Sequence, residues 1–312
     1  MHTHGLLAGR FLPFHNGHLD LIRQASHRCR ALTIWVCTAA ADTIPGWMRY
    51  SWLKNTFTDL PVRHLVEQPG KTWAEQIRER LPADADLYFS LEEIPGEAGI
   101  GLPTTRLPLP FAVAPEDLLR APQQFWPQVP EQVRPWLVRR VALVGPESCG
   151  KSVLTEKLAA HFQTLFVEEY GRTYCEKFGM NLSPLDFAHI AGGQLYREDE
   201  MARQAGPVLF CDTELLVTQV WSEIFFKGEC QPWILWANHL RRYDLFLLLA
   251  PDIPWVNDGL REFEQQRWHM FERLQTELSD RGLRYTVIRG ADFEQRTTAA
   301  IDAVQQVLGP LV

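Results

Sequence analysis

Short apolar runs alternate with amphipathic stretches along the first ninety residues of the chain. The apolar runs are rich in β-branched and aromatic side chains and predict strands, whereas the stretches between them have helical spacing. Alternation of this kind is typical of a parallel sheet with helices on its faces. The predicted strands are Gly5–Gly9, Ala31–Ala39, Val62–Val66 and Asp86–Ser90, and the predicted helices are His18–Cys29, Trp47–Phe57 and Thr72–Leu81.

Residues 95–135 interrupt this pattern, and the alternation restarts after them. The interruption is rich in proline, which cannot donate a hydrogen bond within a central strand. A chain of 312 residues also exceeds the usual size of a single core. We therefore predict two α/β domains, 1–137 and 138–312, each with a parallel sheet. The second domain has predicted strands at Val141–Val144, Leu165–Glu168, Val208–Cys211, Leu245–Leu249 and Tyr285–Ile288, and a predicted helix at Ser152–Phe162.

Composition narrows the classes of partner. The net charge is −7 and the pI is near 5.8, whereas nucleic-acid-binding domains tend to be basic, so we expect no nucleic-acid partner. The longest apolar run, Leu245–Ala250, is far shorter than the roughly 20 residues that span a bilayer, so we expect no membrane partner. The N-terminus shows no secretion-signal pattern and the six cysteines are scattered, which is typical of a cytoplasmic protein.

The stretch from Gly145 to Ser152 matches the P-loop pattern and lies between a predicted strand and a predicted helix. Its glycines allow backbone N–H groups to turn toward nucleotide phosphates. Lys151 would reach the β- and γ-phosphates, and the Ser152 hydroxyl would hold Mg²⁺. The alternative is a glycine-rich turn without a ligand. The loop residues that we expect to bind ATP are Gly145, Glu147, Ser148, Gly150, Lys151 and Ser152.

Acidic residues at two predicted strand ends indicate what kind of P-loop protein this is. Asp212 follows the strand Val208–Cys211 as a single acid, which fits Mg²⁺ coordination in a small-molecule kinase. Glu168 and Glu169 end another strand, where one carboxylate could accept the proton of an attacking substrate hydroxyl. Arg172 could bind a phosphate or the substrate. The alternative for this second cluster is a solvated corner, and the residues do not decide between the two glutamates.

The segment Asp252–Leu274 follows the strand Leu245–Leu249 and carries Asp258, Arg261 and Arg267. Arginines on a segment that closes over the phosphates would neutralise charge in the transition state and exclude water. The alternative is an amphipathic surface helix with ordinary charges.

The N-terminal half has a second candidate anion site at His15-Asn16-Gly17-His18, after the first predicted strand. Two histidines three residues apart at the start of a helix can face one anion, and Gly17 lets a nucleotide approach the backbone. The alternative is a zinc site that would also need His2 and His4.

These motifs together resemble a known family. Gly9-Arg10-Phe11 with the two histidines is similar to the start of adenylyl-transferring nucleotidyltransferases. The P-loop, the Glu-Tyr-Gly-Arg run 169–172, the Asp-Thr pair 212–213 and the run 254–261 resemble the kinase half of NadR-type proteins. The resemblance covers nearly the whole chain. It implies a Rossmann-like nucleotidyltransferase domain followed by a P-loop kinase domain.

The resemblance also implies two consecutive reactions that use ATP and Mg²⁺. The kinase would phosphorylate nicotinamide riboside to nicotinamide mononucleotide (NMN), and the nucleotidyltransferase would join NMN to AMP from ATP, giving NAD and pyrophosphate. In the kinase, the implied catalytic residues are Lys151, Glu169 and Arg261, the substrate-binding residues are Tyr170, Arg172 and Asp258, and the Mg²⁺ ligands are Ser152 and Asp212. In the nucleotidyltransferase, the implied catalytic residues are His15 and His18. The implied nucleotide-binding residues are Gly9, Arg10, Phe11, Gly17 and Arg120.

The chain departs from the family at a late motif, Ser-x-Thr-x-x-Arg, that binds the triphosphate. Arg120 is present, but Pro115 and Asp117 stand at the hydroxyl positions with Glu116 between them. Carboxylates near a triphosphate oppose binding, so we expect weak or absent adenylyl transfer. Two alternatives remain: an N-terminal domain that senses NMN or NAD without catalysis, and a kinase for another nucleoside.

A second departure concerns the N-terminus. The chain begins four residues before its first predicted strand, so we expect no operator-binding helix-turn-helix domain. The sequence carries no signal for the oligomeric state.

Overall fold

Each half of the chain builds one sheet of five strands, and every strand pair in both sheets is parallel. This confirms the predicted α/β class with a parallel sheet in each half. The computed structural model describes residues 1–91, 93–108, 114–256 and 264–309. Backbone contacts divide the chain into unit 1, Met1–Arg134, and unit 2, Pro135–Val312.

In unit 1 the strand order is β3-β2-β1-β4-β5. The strands are β1 (His2–Gly9), β2 (Cys29–Thr38), β3 (Val62–Val66), β4 (Ala85–Ser90) and β5 (Thr104–Arg106). The helices are α1 (Asn16–Ser26), α2 (Gly46–Thr56), α3 (Trp73–Arg78) and α4 (Pro115–Arg120), and the 3₁₀ helices are Glu97–Ile100 and Pro122–Gln128.

The edge strand β5 was not predicted, because it lies in the proline-rich interruption. An edge strand needs ladder hydrogen bonds on one side only, which is why prolines at 103 and 108 are tolerated beside it. The carbonyl of Pro103 accepts a hydrogen bond from the N–H of Tyr88 in β4 (2.9 Å), so the proline contributes to the ladder as an acceptor.

In unit 2 the strand order is β10-β9-β6-β8-β7. The strands are β6 (Arg139–Val144), β7 (Phe166–Val167), β8 (Val208–Asp212), β9 (Leu245–Leu249) and β10 (Tyr285–Ile288). The helices are α5 (Arg134–Leu137), α6 (Lys151–His161), α7 (Tyr170–Phe178), α8 (Pro184–Gln204), α9 (Leu215–Phe225), α10 (Pro232–Leu240), α11 (Arg267–Asp280) and α12 (Phe293–Leu308), and a 3₁₀ helix covers Glu264–Gln266.

The predicted strand Leu165–Glu168 is shorter in the structure, where β7 holds only Phe166 and Val167. This strand lies at the sheet edge and pairs with β8 alone, so its ends lack a second partner. Glu168 therefore lies outside the sheet and is exposed.

Both faces of the unit 2 sheet are covered, which explains why its strands read as continuous apolar runs. Leu143 packs in one cluster with Leu158 of α6, and its neighbour Val144 packs in another with Phe271 of α11. This packing fixes the carboxyl ends of β6, β7 and β8 side by side, where ligands gather in parallel α/β sheets. Within the described ranges, no helix combines the length and apolar character that a bilayer crossing requires.

Candidate functional site

The P-loop of unit 2 joins β6 to α6, and two of its glycines adopt left-handed conformations. Gly150 precedes α6 with φ 86°. Gly145 has φ 151°, and a Cβ atom there would lie 2.7 Å from the carbonyl oxygen of Leu249. Both positions therefore need glycine. The ammonium of Lys151 folds back over the loop and donates to the carbonyls of Gly145 (3.1 Å) and Pro146 (3.0 Å), which places its charge at the predicted phosphate cradle.

Two arginines tie the P-loop to its surroundings. Arg296 of α12 is fully buried and donates to the carbonyls of Cys149 (2.9 Å) and Ala250 (3.1 Å). Arg267 donates to the carbonyls of Ser148 (2.9 Å) and Ile253 (3.1 Å). Arg267, predicted on a closing segment, therefore supports the loop backbone, and Arg296 has the same role without any sequence motif to reveal it.

An acid lies beside the loop at the carboxyl end of β8. Asp212 is 3% exposed, and its Oδ1 has no hydrogen-bond partner among the described residues. Burial and the negative charge of Glu169 raise the pKa of Asp212 to about 6, although Lys151 and a hydrogen bond from Ser152 oppose the shift. A buried carboxylate with an unused oxygen next to a hydroxyl is a suitable pair of hard ligands for Mg²⁺.

No group of three or more His, Cys, Asp and Glu side chains that could hold a metal ion occurs among the described residues. His4, one of the residues required by the zinc alternative, uses its ring nitrogens on Asp84 (2.9 Å) and Thr33 (2.8 Å).

The neighbouring residues Glu168 and Glu169 differ in their position relative to the P-loop. Glu169 immediately precedes α7, lines the cavity described next, and is close enough to raise the pKa values of Asp212 and Lys151. Burial lowers the pKa of Lys151, but the neighbouring Cys149, Glu169 and Asp212 groups raise it and prevail. Glu168 is exposed and does not line the cavity.

A cavity of ≈ 190 Å³ opens beside the P-loop. Besides P-loop residues, the cavity is lined by polar residues, among them Glu169, Arg172, Gln194, Thr213 and Thr218, and by apolar ones. The apolar lining residues include Met180, Leu182, Phe187, Ile190, Val217, Trp221 and Phe225. A lining of both kinds suits a small molecule that combines a flat ring with polar groups.

Tyr170, predicted to bind substrate, does not line this cavity within the described part of the chain. Its N–H donates to Gln194 (2.9 Å), and its ring packs so closely on Gly193 that a Cβ atom there would overlap it. The guanidinium of Arg197 lies 4.7 Å above the same ring. The other two predicted residues of this half, Asp258 and Arg261, lie outside the described residues.

In unit 1, His15 and His18 are both buried at the start of α1, with ring centroids 3.8 Å apart. Burial and the charge of His18 lower the pKa of His15 to about 3, so His15 is neutral at physiological pH. Gly17 is buried in the first turn, and Phe11 is fully buried and makes an edge contact with the His18 ring.

The anion cradle of unit 1 holds a carboxylate of the chain itself. Glu93 Oε2 accepts hydrogen bonds from the backbone N–H groups of Arg10 (2.6 Å) and Phe11 (2.9 Å), and Oε1 pairs with His18 Nε2 at 2.6 Å. Burial would raise the pKa of Glu93, but His18 and the two N–H donors outweigh it and bring the pKa to about 2. A Cβ atom on Gly9 would lie 2.5 Å from Leu91 Cδ1 and 2.9 Å from Glu93 Oε2, so a larger residue there would displace these side chains.

Two arginines that could bind phosphates in unit 1 are also paired with acids. The Arg10 side chain bonds to the buried Asp42, which also pairs with the fully buried Arg49. Arg120, the retained residue of the late motif, has an 80% exposed side chain and pairs with Asp117 at 2.8 Å. The carboxylate that replaces a hydroxyl in that motif therefore engages its arginine.

Glu93 was not among the predicted site residues. Glu93 follows β4, which neighbours β1 in the sheet. The carboxyl end of β4 therefore lies beside the loop that follows Gly9 at the end of β1. The rule that ligands gather at the carboxyl ends of parallel strands could have directed attention to this position.

A P-loop between β6 and α6, with a buried acid at the end of the adjacent strand β8, defines unit 2 as a nucleotide-binding domain of the P-loop kinase fold. The chain belongs to the AAA domain family, which matches residues 140–296.

Two relatives match nearly the whole chain rather than unit 2 alone. The chain is 27% identical to "Trifunctional NAD biosynthesis/regulator protein NadR" of Escherichia coli (strain K12), covering 98% of this chain and 84% of the relative. The protein of the same name from Salmonella typhimurium (strain LT2) is also 27% identical, with 98% and 83% covered. The resemblance to NadR-type proteins is therefore confirmed.

Solved structures agree on the fold. "NadR protein in complex with NR" superposes with a TM-score of 0.79 at 23% identity, covering 99% of this chain and 97% of that one. "NadR protein in complex with NAD and AMP-PNP" gives 0.81 at 22% identity, covering 100% and 98%. Both halves of the fold are therefore those of NadR proteins.

Proposed function

We propose that unit 2 is an ATP-dependent ribosylnicotinamide kinase, which phosphorylates nicotinamide riboside to NMN. The observation that carries this proposal is the cavity that is lined by P-loop residues, by Glu169 and Thr213, and by apolar and aromatic side chains. Its mixture of polar and aromatic lining residues suits a nucleoside, which combines a flat ring with a hydroxyl-bearing sugar. The NadR protein solved with NR has the same fold, which supports this choice of nucleoside.

The residues of the site divide the work of phosphoryl transfer. The P-loop N–H groups and Lys151 would hold the β- and γ-phosphates of ATP. Ser152 and the unused oxygen of Asp212 would hold Mg²⁺, which neutralises charge on the phosphates when it is bound. Glu169 would orient the sugar hydroxyl and take its proton during attack. Arg172, which also lines the cavity, would bind phosphate or substrate.

The direct test is product formation from nicotinamide riboside and MgATP, with uridine as the competing nucleoside. We expect NMN, identified by chromatography, to form with a higher kcat/KM than uridine monophosphate. A preference for uridine would contradict the proposed substrate and favour the alternative of a kinase for another nucleoside.

For unit 1 we infer that adenylyl transfer is weak or absent. Glu93 occupies the N–H groups and the histidine that would bind phosphates, and Asp117 engages Arg120. A nucleotide must replace a charge-assisted set of hydrogen bonds before it can bind there. Because the cradle itself is intact, binding of NMN or NAD without turnover is the second candidate. Titration of unlabelled NMN and NAD into the full chain by calorimetry would detect it.

A further inference from the structure

Thr213 has a backbone conformation that its residue type rarely adopts. It follows Asp212 at the end of β8 with φ 70°, in the left-handed region, where a β-branched side chain is a genuine outlier. Such conformations persist where the surroundings hold them, and they cluster at functional sites. Here the N–H of Thr213 donates to the carbonyl of Leu143 (3.0 Å), and its carbonyl accepts from the side chain of Gln194 (3.3 Å).

The hydroxyl of Thr213 is buried without using its hydrogen-bonding capacity. The residue is 5% exposed and lines the cavity, and among the described residues Oγ1 has no hydrogen-bond partner. Buried polar groups in folded proteins are nearly always paired, so an exception needs an explanation. A ligand group that enters the cavity and completes the hydrogen bond provides one.

The position of the hydroxyl indicates which part of a ligand it meets. Thr213 lines the cavity together with Glu169 and Arg172, and with the aromatic side chains of Trp221 and Phe225. A nucleoside that places its ring on the aromatic side chains would leave its sugar to the polar lining residues. The hydroxyl that attacks phosphate must reach Glu169, which leaves the other hydroxyls of the sugar for Thr213 and the remaining polar residues.

We propose that Thr213 is a specificity-determining residue that hydrogen-bonds a secondary hydroxyl of the nucleoside sugar, so that the enzyme prefers ribosides to deoxyribosides. This rests on the proposed function in that it takes the substrate to be a nucleoside. Thr213 lines the cavity, and Gln194, itself 2% exposed and another lining residue, holds its strained backbone in place.

The test compares Thr213→Val with Thr213→Ser in the full chain. Valine keeps the β-branched shape and removes the hydroxyl, whereas serine keeps the hydroxyl. Binding of nicotinamide riboside and of its 2′-deoxy and 3′-deoxy analogues is measured by calorimetry, and KM values for nucleoside and ATP are measured separately. In Thr213→Val we expect nicotinamide riboside to bind about 10-fold more weakly, because a buried group of the sugar loses its partner.

The analogue that lacks the contacted hydroxyl should bind wild type and Thr213→Val with nearly equal affinity, so the riboside preference collapses in that variant. Thr213→Ser should keep the preference, and the KM for ATP should stay within about 2-fold in both variants. Unfolding temperatures of both variants close to that of wild type would show that the fold is retained.

Three results would overturn the inference. These are an unchanged riboside preference in Thr213→Val, a loss as large in Thr213→Ser as in Thr213→Val, and an effect confined to the Mg²⁺ requirement. If wild type does not use nicotinamide riboside, the proposed function fails. The same comparison is then made with whichever of uridine, cytidine and adenosine the wild type binds best, and that result decides the role of Thr213.

Discussion

The two units place an acid beside their phosphate loops in the same way and use it differently. In each, the loop follows a strand at the centre of the sheet, and the acid comes from the neighbouring strand: Glu93 after β4 in unit 1 and Asp212 at the end of β8 in unit 2. Glu93 is bonded by the loop itself, and its pKa falls to about 2. Asp212 keeps one oxygen without a partner among the described residues, and its pKa rises to about 6.

In unit 1 the hydrogen-bonding groups of the site are paired within the protein, whereas in unit 2 one carboxylate oxygen is available to a ligand. The hydrogen-bond donors of unit 1 already have an anion, so a phosphate must displace it. Unit 2 has a buried carboxylate that burial disfavours, and a cation would relieve that cost. The two loops therefore differ in whether the neighbouring acid already pairs with the loop or has an oxygen that a bound cation could use.

The largest effect that we expect is at Glu169. If Glu169 accepts the proton of the attacking hydroxyl, Glu169→Gln should lower kcat by roughly 10²- to 10⁴-fold with little change in ATP binding. The matched control is Glu168→Gln, because Glu168 is exposed and does not line the cavity. Initial rates of NMN formation measure both. A large loss in Glu168→Gln with none in Glu169→Gln would show that the base is the other residue.

We expect the second-largest loss of activity when the positively charged Lys151 side chain of the P-loop is removed. Lys151→Ala should lower kinase turnover by at least about 10²- to 10³-fold, since it removes a positioned charge from the phosphates and no core packing. Lys157→Ala is the control, because Lys157 lies on the same helix and pairs with Glu294 on the surface (2.6 Å). A folded Lys151→Ala protein with wild-type rates would refute the assignment of the phosphate cradle.

The stability effects of the two acids should have opposite signs. Asp212 has a folded-state pKa above its unfolded value, so its charge destabilises the unliganded protein above pH 6, and this cost disappears as the pH falls below 4. Asp212→Asn should therefore raise the free energy of unfolding at pH 7.5, on the order of 1–3 kcal/mol. The gain should shrink as the pH is lowered toward 4.

Glu93 has a folded-state pKa below its unfolded value, so its contribution to stability is present above pH 4.5 and is lost as the pH falls through 2. Glu93→Gln should lower the free energy of unfolding at pH 7.5, on the order of 1–3 kcal/mol, because charged hydrogen bonds are weakened. Calorimetric scans of the unliganded chain measure both variants. Shifts in the same direction would remove the distinction between the two sites.

The fold and the loops could be predicted from the sequence because they depend on local patterns. Apolar runs predict the strands, and Gly145 to Ser152 carry a motif whose glycines are required by the backbone. Glu93 could not be identified in this way, since its role comes from strand order and it belongs to no motif. The left-handed conformation of Thr213 and the burial of Arg296 also depend on tertiary contacts, so no local sequence pattern predicts them. The two-residue length of β7 follows from its place at the sheet edge.

The smallest effect should appear in unit 1, where Glu93 competes with a ligand. We expect the full chain to form NAD from NMN and ATP with a turnover well below about 1 s⁻¹, the lower end of typical enzymes. Turnover at or above that value would show that the late motif and Glu93 do not prevent the reaction.

Removing the competitor should improve binding even if turnover stays low. When the binding-competent state is a minor fraction, the apparent dissociation constant is the intrinsic one divided by that fraction, so Glu93→Ala should tighten ATP or NMN binding by up to about 10-fold. Glu93→Gln, which keeps the shape and weakens the acceptor, should have an intermediate effect and serves as the test if Glu93→Ala is too unstable. Exposed Glu67→Ala is the control for the loss of a negative charge from the same unit. Unchanged affinity in both Glu93 variants would mean that the carboxylate leaves the cradle freely, and that the pairing of Asp117 with Arg120 is the feature that limits adenylyl transfer.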